Sequence, residues 1–323
     1  MNIQTENNYP IDAVITWVDG NDKNYKTRML PYVGNIQLMR TKKFRTRFNQ
    51  VEEIKFTVDS ILKYASFIRN IYIVTDNQTP LFLRSESRNQ EKYSNVFIID
   101  HKAIFIENEE FLPTFNCRTI ETLLYKIPDL TEQFIYFNDD MFLLNETSPN
   151  DFFIDGLPVL RGKWLNFDED ILYKKIAKKI LSKNKRISHK LAQQKAAKNI
   201  GFKRYFKFNH TPYPLRKSTF DFFFLHNNKI EIENVKYKFR NLSQFTPQGL
   251  ANHIEIKNKT CVLKDDCQMV YIQSYKKPLW WYKYNLSLFK RNKIKLFLCM
   301  QSLDLCPQNK LNFILSWLNK ELT

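Results

Sequence analysis

FIYFNDD, Phe134 to Asp140, decides the fold. Large apolar and aromatic side chains follow one another with no alternation, which reads as a strand buried on both faces. Asn138, Asp139 and Asp140 then end it. Working outward, the same grammar recurs three times on the N-terminal side. IDAVITWV (Ile11 to Val18) runs into Asp19-Gly20-Asn21-Asp22, IYIVT (Ile71 to Thr75) into Asp76-Asn77, and VFII (Val96 to Ile99) into Asp100-His101. Between these runs, Ile54, Val58, Ile61 and Leu62 repeat at helical spacing within Val51 to Phe67. Thr119 to Lys126 also reads as helix and stops before Pro128. Strands alternating with helices at this spacing predict an α/β fold, a mostly parallel sheet with helices on both faces.

In open α/β sheets, ligands bind outside the carboxyl ends of the strands. Asp and Asn also favour turns and helix caps, so one such ending carries little. Four in one half of the chain point to an active-site rim.

Composition narrows the classes. Of 323 residues, 43% are hydrophobic and 15% aromatic, enough for a sizeable core, so disorder over most of the length is excluded. Six glycines argue against a Gly-rich phosphate loop. Five cysteines (Cys117, Cys261, Cys267, Cys299, Cys306) form no CxxC pair, so neither a disulfide framework nor a structural zinc site is expected. Reduced thiols in a cytosolic protein fit better. Met1 to Pro10 is polar, so no signal peptide is expected, and no apolar run approaches the ~20 residues of a membrane span.

Net charge is +17, unevenly spread: Ile171 to Phe220 holds no acidic residue and fifteen Lys and Arg. Within it, Leu172, Ile176, Ile180 and Leu181 recur at helical spacing among lysines, and Ile187 and Leu191 resume the pattern. A basic amphipathic helical insertion suits an anionic surface, and equally a solvated Lys-rich face or packing on its own domain. Leu279 to Phe297 joins Trp280, Trp281, Tyr282 and Tyr284 to several lysines, a mixture found at membrane interfaces. Asn309 to Asn319 reads as a closing helix. The expected division is 1–160 for an α/β core binding a nucleotide-sugar, 161–205 for the basic helical insertion, and 206–323 for the rest of the catalytic domain.

Paired carboxylates behind a buried strand, here Asp139 and Asp140, suit Mg²⁺ or Mn²⁺, which prefer oxygen ligands and keep a substrate phosphate in their shell. Asp19 reads as a nucleotide or metal contact, or as a turn residue. His210, in HTPYPLRK, has the chemistry of a general base. Arg240 has the fork to clamp a phosphate, or to make a surface ion pair. His101, His189, His226 and His253 show no metal-ligand spacing.

Taken together, the motifs resemble the Stealth family of sugar-1-phosphate transferases. IDAVITWVDGND (Ile11 to Asp22) is similar to its first conserved block. The second is matched by RFNQVEEIKFTVDSILKYASFIRNIYIVTDNQTP (Arg47 to Pro80), IIDHKAIF (Ile98 to Phe105), LPTFNCRTIETLLYKIPDL (Leu112 to Leu130) and FIYFNDDMFLL (Phe134 to Leu144). The third is looser: HTPYPLRKS (His210 to Ser218), YKFR (Tyr237 to Arg240) and LANHIEI (Leu250 to Ile256). Two departures stand out. Asn49 replaces the second arginine of the family's RFR, and the fourth block's Cys-hydrophobic-Asn-Asp is met only by Cys299-Met300-Gln301-Ser302, with Asp304 nearby but out of register.

The resemblance implies a glycosyltransferase-A-like sheet and transfer of a hexose-1-phosphate or N-acetylhexosamine-1-phosphate from a UDP-sugar to a glycan or lipid-linked glycan, releasing UMP. It implies Asp19 and Arg47 near the donor, and Glu121, Asn138, Asp139 and Asp140 as the acidic cluster for metal and donor. His210 is then the candidate base and Arg240 the pyrophosphate ligand. The expected setting is bacterial capsule or cell-surface polysaccharide synthesis, at the cytoplasmic face of the inner membrane. The alternatives are a metal-dependent glycosyltransferase releasing UDP and, last, a basic binding protein; nucleic acid is not an expected partner.

Overall fold

The computed structural model describes residues 9–35, 37, 41, 48–84, 91–171 and 187–322. In chain order its strands are β1 (Ile11–Thr16), β2 (Ile68–Thr75), β3 (Val96–Asp100), β4 (Gln133–Asn138), β5 (Met141–Leu143) and β6 (Phe153–Ile154). Then follow β7 (Leu157–Leu165), β8 (Tyr205–Phe208), β9 (Tyr213–Arg216), β10 (Val262–Lys264), β11 (Met269–Ile272) and β12 (Phe297–Met300).

The main sheet has the order β3-β2-β1-β4-β9. Its first four strands are parallel and are the four runs singled out in the sequence; β9 closes the edge antiparallel to β4. The α/β class and the mostly parallel sheet are therefore as expected. Ala13, Val14 and Ile15 of β1 and Phe134, Ile135, Tyr136 and Phe137 of β4 are all buried, so both faces of the sheet centre are covered. The helix Glu53–Tyr64 packs against β2 and β5, and the helix Cys117–Thr122 against β1.

One charge lies inside that apolar run. Asp12, fully buried in β1, receives both Nε and Nη2 of Arg69 at 2.9 and 2.8 Å, and the backbone amides of Asn70 and Thr131. Each carboxylate oxygen thus has two donors, the condition under which a buried charge is tolerated.

Two smaller sheets, built from strands on both sides of Phe206, complete the structure. In one, β7 carries β6 and β8 antiparallel and β10 parallel; in the other, β12 pairs with β11 parallel and with β5 antiparallel. The basic helical segment expected around Leu172 to Leu181 lies outside the described residues. Its continuation is the helix His189–Asn199, which packs against the helix Pro247–Asn258, where Gly249 allows the close approach to Thr246 and Ala196. The segment 161–205 also contains the second half of β7. The closing helix runs Gln308–Leu322.

Buried His253 holds this half together. Its Nε2 accepts the Phe206 amide at 3.0 Å and its Nδ1 donates to the Gly249 carbonyl, which fixes it as the neutral tautomer. Burial pushes its pKa down to about 4. A histidine depressed in the fold stabilises fully above its unfolded value, and that contribution is lost as pH falls towards the folded one. The non-titrating His253→Gln should therefore be most damaging at about pH 7.5, and its penalty should shrink by about 2 kcal/mol at about pH 5. Urea denaturation of both proteins at the two pH values measures this; a penalty independent of pH would contradict it.

Candidate active site

A cavity of about 660 Å³ opens at the carboxyl ends of β1 and β4. Its floor is the turn after β4. Asn138, Asp139 and Asp140 line it, held from behind by backbone contacts: Thr57 Oγ1 donates to the Asp139 carbonyl at 2.6 Å, and the Met300 amide to the Asp140 carbonyl at 3.1 Å. Burial, then the neighbouring Asp140 and Glu53 carboxylates, raise the Asp139 pKa well above the usual range. Burial likewise raises Asp140, opposed by His210. Oδ1 of Asp140 is buried with no hydrogen-bond partner. Glu53, buried one layer below, is pushed up to about 7 by burial and by Asp140 and Asp304.

Crowded carboxyls with an orphaned buried oxygen are the donor chemistry of a divalent-cation site. The residues fit Mg²⁺ or Mn²⁺ held by Asp139 and Asp140.

The walls come from distant segments. β9 lies antiparallel to β4 with Tyr213 opposite Tyr136, so the turn three residues before Tyr213 brings His210 level with the end of β4. His210 is half-buried. Its Nδ1 makes a long 3.5 Å contact with Tyr213 Oη, and its ring lies 5.6 Å from Tyr271 and 6.1 Å from His189, centroid to centroid. Burial lowers its pKa, while Asp140 and Glu121 pull it back up. At neutral pH the imidazole therefore has a free lone pair and an adjacent carboxylate to stabilise it once protonated.

Arg240 arrives by a chain of backbone bonds. The Phe115 amide donates to the Lys238 carbonyl, and Asn116 Nδ2 and Thr119 Oγ1 donate to the Tyr237 carbonyl. This pins Tyr237 to Arg240 along the helix Cys117–Thr122. The guanidinium then meets Cys117 Sγ, at 2.7 Å from Nη2 and 3.2 Å from Nε. Cys117 and Glu121 stand one helical turn apart on the same side, and both charge environments favour a protonated Arg240.

Six of the eight expected site residues thus share one cavity: Glu121, Asn138, Asp139, Asp140, His210 and Arg240. Asp19 does not line it. Its Oδ1 accepts the Asn21 amide at 2.8 Å and its backbone exchanges two bonds with Gln78, the behaviour of a turn residue. Gly20 beside it donates its amide to Phe48 O, so close that any Cβ would overlap Phe48. Arg47 lies outside the described residues.

Other lining residues carried no expectation. Tyr136 Oη joins Thr16 Oγ1 (2.8 Å), Glu121 Oε1 (2.9 Å) and Asn138 Oδ1 (2.9 Å), tying β1, β4 and the helix Cys117–Thr122 at one point. Its place two residues before Asn138, on the same strand face, was the available signal. His189 enters from the helix His189–Asn199, its ring 6.1 Å from that of His210. Cys299 does not line the cavity; the pairing of β12 with β5 sets it, buried, opposite Met141 and next to Asp140. Nothing local marks His189, whereas Cys299 opens the Cys299-Met300-Gln301-Ser302 stretch that loosely matches the family's fourth block.

Fold and cavity define an α/β protein that gathers carboxylates, an imidazole and a guanidinium at its strand ends. Residues 9–37 match the Stealth protein CR1, conserved region 1, and residues 47–159 the Stealth protein CR2, conserved region 2. Over these two regions the chain matches conserved regions of the Stealth family. His210 and Arg240 lie beyond both.

A capsular polysaccharide phosphotransferase of Actinobacillus pleuropneumoniae is 42% identical over 146 residues, 44% of this chain and 38% of that protein. One of Neisseria meningitidis serogroup B is 39% identical over 155 residues (46% and 40%), and an exopolysaccharide phosphotransferase of Streptomyces coelicolor is 41% identical over 145 (45% and 25%). The matched part of the chain thus spans two fifths or less of these relatives. Among solved structures, the galactosyltransferase LgtC covers 97% of this chain and 96% of its own at 10% identity and a TM-score of 0.44. Mouse xyloside xylosyltransferase 1 covers 90% and 97% at 8% identity and 0.39. Likeness of that degree is too weak to inform the site.

Because the acidic floor is strained without a cation, Asp140→Asn should melt ~2–4 °C above the parent protein in a chelating buffer. It should also lose the stabilisation that millimolar Mg²⁺ or Mn²⁺ confers on the parent, about 2.7 kcal/mol at a hundredfold excess over Kd. Thermal melts with and without cation test both halves; a variant that melts lower and still responds contradicts the reading.

Proposed function

We propose that this chain transfers a hexose-1-phosphate or N-acetylhexosamine-1-phosphate from a UDP-sugar to a hydroxyl of a glycan or lipid-linked glycan. The product is a phosphodiester, UMP is released, and the setting is bacterial capsule or cell-surface polysaccharide synthesis. One observation carries the proposal: a single cavity gathers the carboxylates Asp139 and Asp140, the half-buried base His210 and the guanidinium of Arg240. The reaction class is supported by relatives named capsular and exopolysaccharide phosphotransferases.

The acceptor oxygen attacks the β-phosphorus of the donor, and the bond from that phosphorus to the bridging oxygen of UMP breaks. His210 takes the hydroxyl proton; burial keeps its imidazole neutral beforehand, and the Asp140 carboxylate stabilises it afterwards. Arg240 leaves the Cys117 thiol, a weak acceptor, for the phosphoryl oxygens, where its fork makes two charge-assisted bonds. Asn138 and Glu121, linked through Tyr136, orient the sugar. Mg²⁺ or Mn²⁺ held by Asp139 and Asp140 would supply positive charge against the diphosphate oxygens. Such transfers depend mostly on positioning and electrostatics.

Incubation with Mg²⁺, a panel of UDP-sugars and a crude glycan acceptor should release UMP. His210→Ala and Asp140→Ala should each lower the rate by roughly 10²–10³. Release of UDP would make the protein a glycosyltransferase, and variants keeping more than half the rate would remove those residues from the mechanism.

We also propose peripheral contact with the anionic inner face of the cytoplasmic membrane. Among the described residues no helix is long and apolar enough to cross a membrane. The helix Leu279–Arg291 instead exposes Trp280, Tyr284 and Leu288, one turn apart, beside Lys283 and Arg291. Apolar and aromatic side chains rimmed by cations suit a lipid interface. The double variant Trp280→Ser/Tyr284→Ser should lose cosedimentation with phosphatidylglycerol vesicles; unchanged sedimentation contradicts this.

A further inference from the structure

Three unlike ligand groups converge on one side of the acidic floor. A carboxylate oxygen of Asp140, a ring nitrogen of His210 and the sulfur of Cys299 all lie within 4.8 Å of one another. They come from three places in the chain: the end of β4, the turn before β9, and β12. The β5–β12 pairing fixes the thiol against the carboxylate, since Cys299 pairs with Met141 and the next amide, of Met300, bonds the Asp140 carbonyl. Cys299 is 1% exposed, and Oδ1 of Asp140 is buried with no hydrogen-bond partner.

We propose that Asp140, His210 and Cys299 form a binding site for a borderline-soft divalent cation of the zinc class, distinct from the oxygen-only pair Asp139 and Asp140. Mg²⁺ requires near-octahedral oxygen ligands and makes no use of a thiol or an imidazole. Zn²⁺ takes sulfur, nitrogen and oxygen in tetrahedral array, with bonds of about 2.0–2.3 Å, which places ligand atoms about 3.3–3.6 Å apart. Three atoms already within 4.8 Å reach that spacing by small side-chain rotations. The thiol gives its proton to solvent as the metal–sulfur bond forms, so thiolate and carboxylate together balance the charge of the divalent ion and the unit is neutral. Three protein ligands leave a fourth position open to water or a substrate oxygen.

The site shares Asp140 with the Mg²⁺ pair and uses the lone pair of His210. Occupation by zinc therefore excludes the productive arrangement and inhibits transfer. That consequence rests on the reading of His210 as the base; the binding site does not.

Cobalt(II) tests the site without reference to activity. Titrated into chelator-stripped protein, it should produce the thiolate-to-cobalt charge-transfer absorption and the visible bands of a tetrahedral ion, at one equivalent, and Zn²⁺ should bleach them. Cys299→Ser should abolish the charge-transfer band, while Cys267→Ser, which alters an exposed thiol, should leave it intact. Where Cys299→Ser fails to fold, His210→Ala should abolish the tetrahedral bands instead. Absence of a charge-transfer band in the parent protein, or its survival in a folded Cys299→Ser, overturns the proposal.

In the transfer assay with Mg²⁺, Zn²⁺ should inhibit the parent protein, and Cys299→Ser should need more than about tenfold more Zn²⁺ for the same inhibition. Equal sensitivity of the two proteins also overturns it. A protein with the cobalt signature but no UMP release would keep the metal site and sink the proposed reaction.

Discussion

The constraint on which the rest of the structure depends is the placing of two carboxylates, Asp139 and Asp140, side by side at the end of a buried strand. Like charges in a poorly solvated place raise each other's pKa and destabilise the fold that holds them. Their position is nevertheless firmly fixed. Thr57 and Met300 bind the two backbone carbonyls, and β5, immediately after them, is locked between Ser60 and β12. The fold spends rigidity on a local arrangement that is unfavourable alone, as functional sites commonly do.

The opposite charge is kept at a distance. Arg240 rests against Cys117, not against a carboxylate, and Arg118 bonds the Asn241 and Ser188 carbonyls, tying the helix Cys117–Thr122 to the segment that begins the helix His189–Asn199. Cations and anions that do not neutralise each other across a cavity leave both available to the diphosphate and metal of the proposed donor. The cavity therefore looks to a ligand of mixed demand: anionic enough for Arg240, and coordinating enough for Asp139 and Asp140.

The main sheet was legible because β1, β2 and β4 are buried over most of their length and, with the edge strand β3, appear as unbroken apolar runs closed by Asp or Asn, although β3 leaves Phe97 and Ile98 exposed. Asp12 escaped notice inside such a run because its partners, Arg69 and the Thr131 amide, are distant in sequence. The acidic floor was legible for the same reason as the strands: it is local to β4. His210 and Arg240 were candidates by their own chemistry and were joined to the acidic cluster only through family resemblance, since the contacts that carry them to the floor, β9 against β4 and Tyr237 against Asn116, are long-range. His189 had no local signature, and Cys299 only the loose match of Cys299-Met300-Gln301-Ser302 to the fourth block. Their place depends on helix packing and on the pairing of β12 with β5, which no spacing rule reveals. Asp19 illustrates the reverse case, a motif residue whose carboxylate serves its own turn.

The central claim is that one cavity brings a cation-binding carboxylate pair and an arginine to bear on the same diphosphate. A crystal structure of the protein with Mn²⁺ and a non-transferable UDP-sugar analogue tests it most directly, through the anomalous signal of the metal. The account predicts a manganese peak bridging Asp139, Asp140 and the diphosphate, with Arg240 turned from Cys117 onto the phosphoryl oxygens and His210 facing the β-phosphorus. A diphosphate bound elsewhere, or bound here with no metal at the two carboxylates, would contradict it.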